Sequence, residues 1–389
     1  MYRKFSADHL FNGYEFCQQQ VLITDATGAI IDIVDEAAAG DGIEKMQGIL
    51  CPGFINAHCH LELSHMKGLI PKHTGLVDFV FKVVNERHFA DDEIFAAIEK
   101  AEEEMLKNGI VAVGDICNNS FTIPQKSEGR LQYQNFIEAS GFPPTVAELR
   151  FKRAEDLYHA YAEKFSGNSI VPHAPYSVSP EMFAMINEFP NNDLLTIHNQ
   201  ETEAENEFFE KGTGDLLRLY SKMGIDISFF KPSERSSLQT WLPHFTKGQT
   251  IIAVHNVETT EEDMQFSKLK TQNPKLFFCL CPNANLYISN RLPDVKMLMQ
   301  QTDNIVLGTD SLASNDGLSI LEEIKTLQQN FDELSLTTLL KWATSNGAKA
   351  LRMGDVLGSF EKGKRPGVVM IEGADDLKVY KSSSVKRIL

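Results

Sequence analysis

His58 and His60 stand one residue apart in Pro52-Gly53-Phe54-Ile55-Asn56-Ala57-His58-Cys59-His60, at the end of an apolar run from Ile49 to Ile55. The run reads as a short buried strand. Side chains alternate faces along a strand, so the two imidazoles project the same way. Two imidazoles projecting together from a strand end can bind one metal ion. A bare H-x-H is also what two polar loop histidines look like. What decides between them is how the other strands of the chain end.

Those strands are legible as short apolar runs. They end at Ala57, at Asp115 after Ile110-Val111-Ala112-Val113-Gly114, at Glu138 after Phe136-Ile137, and at His173 after Ser169-Ile170-Val171-Pro172. The next end at His198 after Leu194-Leu195-Thr196-Ile197, at His255 after Ile251-Ile252-Ala253-Val254, at Cys281 after Leu276 to Leu280, and at Asp310 after Ile305-Val306-Leu307-Gly308. Helix-like stretches lie between them, among them Asp92–Asn108, Glu203–Met223, Thr260–Gln272 and Gly317–Phe331. Eight strands alternating with helices predict an α/β fold, a parallel sheet closed as a (β/α)8 TIM barrel spanning residues 51–354. The two ends of the chain have a different texture. Val21-Leu22-Ile23 and Ile30 to Val34 flank the turn cluster Asp25-Ala26-Thr27-Gly28, and Gly367 to Ile371 and Leu377 to Tyr380 repeat the pattern. Residues 1–50 and 355–389 are therefore expected to form one small β-sandwich domain. The run Lys362 to Gly367 reads as a solvated basic turn.

A barrel of this kind carries its chemistry where the strands end. That rim holds His58, His60, Asp115, Glu138, His173, His198, His255 and Asp310, five of the eleven histidines in the chain. One histidine at a strand end can be a satisfied core residue; five on one rim need a shared reason. A His/Asp donor set suits Zn2+ or Fe2+. His58, His60, His198 and Asp310 would supply the ligands and leave a position for water, whose pKa a bound ion lowers to about 7. Glu201, in His198-Asn199-Gln200-Glu201, could reach that water and shuttle its proton to a leaving nitrogen. It could also be an acidic residue in a helix's first turn, as Glu203, Glu205 and Glu207 are read. Asp310 could instead be an N-cap. His255 could be a packing histidine, or could hold the attacking oxygen or polarise the substrate. His173, stiffened between Pro172 and Pro175, is read as a substrate contact. His65, His73, His88, His159 and His244 are read as ordinary surface or loop residues.

Composition excludes some roles. Lys+Arg of 37 against Asp+Glu of 53 gives a net charge of −16, which repels nucleic acid and anionic membrane surfaces. Six cysteines without a C-x-x-C read as reduced thiols of a cytoplasmic protein. Met1 to Leu10 has no apolar core of a signal peptide, and no stretch is long and apolar enough to span a bilayer.

The segments PGFINAHCHLELSHMKG (52–68), VPHAPYSVSP (171–180), TIHNQETEAE (196–205), AVHN (253–256), CPNANLYISN (281–290), LGTDSLASND (307–316) and LGSFEKGK (357–364) resemble the amidohydrolase superfamily. The likeness is to its cytosine deaminase and chlorohydrolase-like branch, which includes guanine, aminofutalosine and S-adenosylhomocysteine deaminases. The resemblance implies a barrel with a β-sandwich built from both termini. It implies one metal ion per chain, Zn2+ or Fe2+, on His58, His60, His198 and Asp310. It also implies Glu201, His255 and Asp310 as catalytic groups and His173 as a substrate contact. Dinuclear members carry a bridging lysine on the fourth strand; His173 stands there in this chain, which favours one metal. His60-Leu61-Glu62 matches the first half of the H-x-E…P-C-x-x-C signature of the unrelated zinc deaminases, but no P-C-x-x-C follows. The implied activity is hydrolytic deamination of a small amino-substituted heterocycle, whether purine, pyrimidine or nucleoside-like. Dechlorination, N-dealkylation or cyclic amide hydrolysis by the same residues is the alternative. A non-catalytic scaffold is a third reading, disfavoured because all four ligand residues are present. Homo-oligomerisation is left open.

Overall fold

The computed structural model describes residues 2–269 and 275–389. Its centre is two four-stranded parallel sheets. One holds Phe54–Cys59, Ile110–Cys117, Gln132–Ala139 and Asn168–Pro172, each beside its neighbour in sequence. The other holds Leu194–Asn199, Thr250–His255, Lys275–Leu280 and Ile305–Leu307 in the same sequential order. These are numbered first to eighth below. Parallel strands need crossovers, and helices supply them. Asp91–Lys107 shows why such a segment is helical. Ile94, Ile98, Ala101 and Met105 recur on one buried face, Asp91, Asp92 and Glu93 sit in its first turn, and Lys107 lies in its last.

Hydrogen bonds link the two sheets at both seams. His198 N–H donates to His173 O at 2.9 Å between the fourth and fifth strands. Thr309 and Asp310 N–H both donate to His58 O at 3.1 Å between the eighth and first. Gly308 permits that second approach: a Cβ there would lie 2.9 Å from the Cβ of His58 and from Cys279 Sγ, closer than packed atoms sit.

The two chain ends form two further sheets. One has the order Ile30–Asp35, Gln20–Thr24, Arg3–Ser6, Ile43–Lys45; the other Ser384–Arg387, Val368–Glu372, Ile49–Pro52, His9–Phe11, Phe16–Cys17. Phe5, Leu22 and Ile30 of the first share a buried cluster with Leu10, Leu50, Val368 and Met370 of the second.

The run expected as one strand from Ile49 is two. Ile49–Pro52 pairs with Val368–Glu372 in the terminal sheet, and Phe54–Cys59 pairs with Ile110–Cys117 in the central one. Gly53 is the crossing point, where a Cβ would overlap Val111 and the Pro366 carbonyl. Other expectations also shift. The stretch 203–223 is two helices, Glu203–Lys211 and Leu216–Met223, because Gly212 takes a left-handed φ of 69° and caps the first. The helix expected to run to Gln272 is Glu261–Leu269, and its remainder lies outside the described residues. The strand expected at Phe136 begins at Gln132. Its polar Gln134 and Asn135 are bonded inside the sheet to Ser169 and Asn168. Leu377 to Tyr380 is not a strand: Asp376 and Leu377 have positive φ and make a tight turn. The last strand is Ser384–Arg387, whose Ser-Val-Lys-Arg carries almost no apolar signal. Lys364 is not free in solvent either; it pairs with Glu361 and donates to Ser359. All six cysteines are free thiols. Among the described residues no helix is long and apolar enough to cross a membrane.

Candidate active site

The rim where the parallel strands end brings most of the predicted residues together. His58 lies in the first strand, and His60 follows it directly. His198 lies in the fifth strand, His255 ends the sixth, and Asp310 stands three residues past the eighth. His60 Nε2 is 3.2 Å from both His58 Nε2 and His198 Nε2. Asp310 Oδ1 is 3.5 Å from His58 Nε2 and 3.4 Å from His60 Nε2. Donors on a tetrahedral ion at about 2.0–2.1 Å are spaced about 3.3 Å apart, so this donor set fits a single divalent ion.

Protonation agrees with that fit. Burial pushes His58 down to about 4 and His198 well below the usual imidazole range. Burial would raise the Asp310 carboxyl, but its hydrogen bond with His58 and the surrounding imidazoles hold it well below the usual value. Neutral imidazoles at His58 and His198 beside an ionised Asp310 are the protonation states in which these groups can hold a Lewis-acidic ion. His198 Nδ1 is 2.7 Å from His173 O, so it carries the proton and leaves Nε2 as the lone-pair donor. Ser314 Oγ donates to Asp310 Oδ2 at 2.5 Å. That bond, with the φ of 56° at Asp310, shows that the aspartate does not cap a helix.

Glu201 and His255 flank the cluster. Glu201 Oε2 is 3.8 Å from His255 Nε2, and both side chains are buried. Burial raises the Glu201 carboxyl, and His255 opposes it. His255 Nδ1 is 2.8 Å from Asn285 Oδ1, which fixes the ring's tautomer with Nε2 toward the cluster. His173 lines the same cavity, its Nδ1 2.8 Å from Ser177 Oγ. Backbone strain gathers here: Gln200, His255, Asn256 and Asp310 all have positive φ. Above the cluster the cavity is about 430 Å3. Its outer wall is apolar, with Phe79, Val83, Phe142, Leu219 and Met223, and Glu62, Glu138 and Arg87 bring charge to it.

Asp115 is on the rim in sequence but not in the cluster. Its Oδ2 is 2.6 Å from Lys126 Nζ, with both side chains fully buried, and its Oδ1 accepts Leu61 N–H at 2.8 Å. Burial would lower the Lys126 pKa; Asp115 outweighs it and raises it. The pair holds the chain just past His60. Lys126→Met should leave Asp115 buried and unpaired and cost about 3–5 kcal/mol of stability in a denaturant melt. A loss under 1 kcal/mol would show that Asp115 is neutral or otherwise paired.

Other relations had no signal in the sequence. Glu205 is not a solvated first-turn acid: it is fully buried. Its Oε1 accepts Gln200 N–H at 2.9 Å, its Oε2 accepts Glu201 N–H at 3.4 Å, and it also accepts Ser237 Oγ–H. Burial lifts its pKa to about 7. It clamps the backbone that presents Glu201. Asn285 and Ser314 support His255 and Asp310 from quoted motifs, but nothing in their types announces it. His65 and His244 are half-buried rather than free: His65 Nε2 is 3.0 Å from Arg87 O, and His244 stacks on Phe183.

Comparison with known proteins follows the same lines. The profile of the amidohydrolase family matches residues 49–387. An adenosine deaminase of Helicobacter pylori is 28% identical over 327 residues, covering 82% of this chain and 77% of that protein. The crystal structure of Helicobacter pylori aminofutalosine deaminase superimposes with a TM-score of 0.81 at 23% identity, over 97% of this chain and 94% of that one. A zinc-bound adenosine deaminase structure from Xanthomonas campestris gives a TM-score of 0.71 at 21% identity, over 95% of this chain and 84% of that one.

Proposed function

The chain belongs to the amidohydrolase family, and from that premise we propose that it hydrolytically deaminates an amino-substituted purine, most readily as a nucleoside. It is a metal-dependent hydrolase of carbon–nitrogen bonds other than peptide bonds. The observation that carries the reading is the convergence of three imidazole nitrogens and one carboxylate in one cavity, with Glu201 beside them. The adenosine deaminase relative supports the substrate class.

His58, His60, His198 and Asp310 would hold one divalent ion, zinc by their nitrogen-rich donor set. When bound, that ion supplies a water acidic enough to ionise near neutral pH. The rest falls to side chains. Glu201 accepts one proton from the attacking water and delivers it to the ring nitrogen next to the reacting carbon. His255, held by Asn285, orients the attacking oxygen. Asp310 and His255 accept the second proton, which leaves on the amine. The carbon–nitrogen bond breaks, ammonia departs, and the ring keeps the oxygen. His173 contacts the ring. Phe79, Val83, Phe142, Leu219 and Met223 put apolar surface around the site, and a lower local dielectric strengthens each of these polar contacts.

The scaffold proposed for this chemistry is a closed eight-stranded barrel over residues 51–354, with 1–50 and 355–389 as a composite β-sandwich. The hydrogen bonds at both seams and the buried cluster shared by the two terminal sheets support it.

The metal-loaded protein, assayed for ammonia release over a panel of adenine, guanine and cytosine bases and nucleosides, should deaminate at least one adenine nucleoside. Elemental analysis should find one ion per chain. Release of chloride or an alkylamine from triazines, with no ammonia from any nucleoside, would move the assignment to the other leaving groups. Two tightly held ions would overturn the mononuclear site.

A further inference from the structure

Glu62 and Glu138 are carboxylates that the proposed chemistry does not use. Glu62 follows His60 by two residues, in the turn Leu61–Met66, and is 2% exposed. Glu138 lies near the end of the third strand, its side chain 6% exposed. One residue holds both. The Asn118 backbone N–H donates to Glu62 Oε2 at 2.9 Å, and the Asn118 side-chain amide donates to Glu138 Oε2 at 2.8 Å. The other oxygen of each, Oε1, is buried and has no hydrogen-bond partner. All three residues line the active-site cavity. Buried carboxylate oxygens are normally bonded, so two left open on one cavity wall mark where a ligand's donors belong.

We propose that Glu62 and Glu138, spaced by Asn118, receive the two adjacent hydroxyls of a ribosyl group carried by the substrate's heterocycle. The inference rests on the deaminase reading above and names the substrate's second half. Three observations favour a diol. The backbone and side chain of one residue hold an oxygen of each carboxylate, which keeps the two carboxylates side by side on the wall, as a vicinal diol needs its acceptors to be. Arg87 lines the same cavity, so the wall already holds a cation and a ligand ammonium would face it. Glu138 Oε1 is 4.0 Å from His198 Nδ1, so the subsite adjoins the floor where the ring reacts. The hydroxyls must then sit on a group joined directly to the heterocycle.

The test compares adenosine, 2′-deoxyadenosine, 3′-deoxyadenosine and 2′,3′-dideoxyadenosine. kcat/KM for ammonia release is measured on the metal-loaded wild type, Glu62→Gln and Glu138→Gln. Kd is measured by calorimetry in Glu201→Gln, where bound nucleoside is consumed slowly. Loss of each hydroxyl should weaken both quantities about 10–100-fold, the usual worth of a hydrogen bond to a charged group. Each Glu→Gln variant should lose a comparable factor on adenosine and stay within about threefold of wild type on the dideoxynucleoside, since its partner is then missing from both. Wild type that handles adenosine and dideoxyadenosine alike overturns the subsite, whether or not the variants fold. Equal losses on both substrates in the variants overturn it too. Hydroxyl-dependent binding without ammonia release upholds the subsite and removes the deaminase reading. Ammonia release without hydroxyl dependence does the reverse. No binding of any of the four overturns both.

Discussion

Glu201→Gln should keep its bound metal and bind substrate nearly as before, while kcat falls about 10²–10⁴-fold. The amine is a poor leaving group until protonated, and the proton must come from the attacking water. Glu201 is buried, faces His255 at 3.8 Å and lies outside the four-donor cluster. Glutamine keeps the size and much of the hydrogen bonding but cannot accept a proton. Elemental analysis and single-turnover rates check the two halves separately. Metal lost from this variant would make Glu201 a ligand. Full activity with metal bound would hand the proton to His255 or Asp310. Glu205 belongs to the same argument: it holds the Gln200 and Glu201 amides, so the Glu201 side chain is aimed through its backbone.

Removing a ligand should cost more. His198→Ala should lose tight metal binding and at least about 10⁴ in kcat/KM, because the attacking water returns from a pKa near 7 toward 15.7. His58→Ala, His60→Ala and Asp310→Ala should behave alike, since the four donors sit within 3.2–3.5 Å of their neighbours in one cluster. The exposed His159 is the control, and His159→Ala should change neither quantity. Wild-type metal content in His198→Ala would remove the fifth-strand ligand from the set.

Much of this site was legible because polar residues at the ends of apolar strands are conspicuous. His198 and His255 directly follow runs of mostly aliphatic and β-branched residues, His58 and Asp310 stand three residues past such runs, and a buried strand tolerates such endings only for a reason. The alternation of strands and helices was legible for the same cause. What stayed hidden are relations between residues far apart in sequence. Asp115 looks like another rim ligand until Lys126, from a short helix, is seen against it. Glu205 looks like a dipole-stabilising surface acid until Ser237 and two backbone amides are found around it. Glu62 looks like half of an unrelated motif until Asn118 ties it to Glu138. The break at Gly53 was invisible because hydrophobicity does not say which sheet an apolar residue serves.

That break bears on how such a chain can change over generations. Pro52 ends a strand of the terminal sheet and His58 stands in the first central strand, with Gly53 pinned between Val111 and Pro366. The interval is a ruler rather than a linker. One residue added or removed would turn His58 and His60 to the opposite face of their strand. Surface loops elsewhere can lengthen by drift, but here the length is held as firmly as Gly53 itself. Descent can remodel the outer wall of the cavity freely, and with it the choice of substrate, only because this short stretch keeps count.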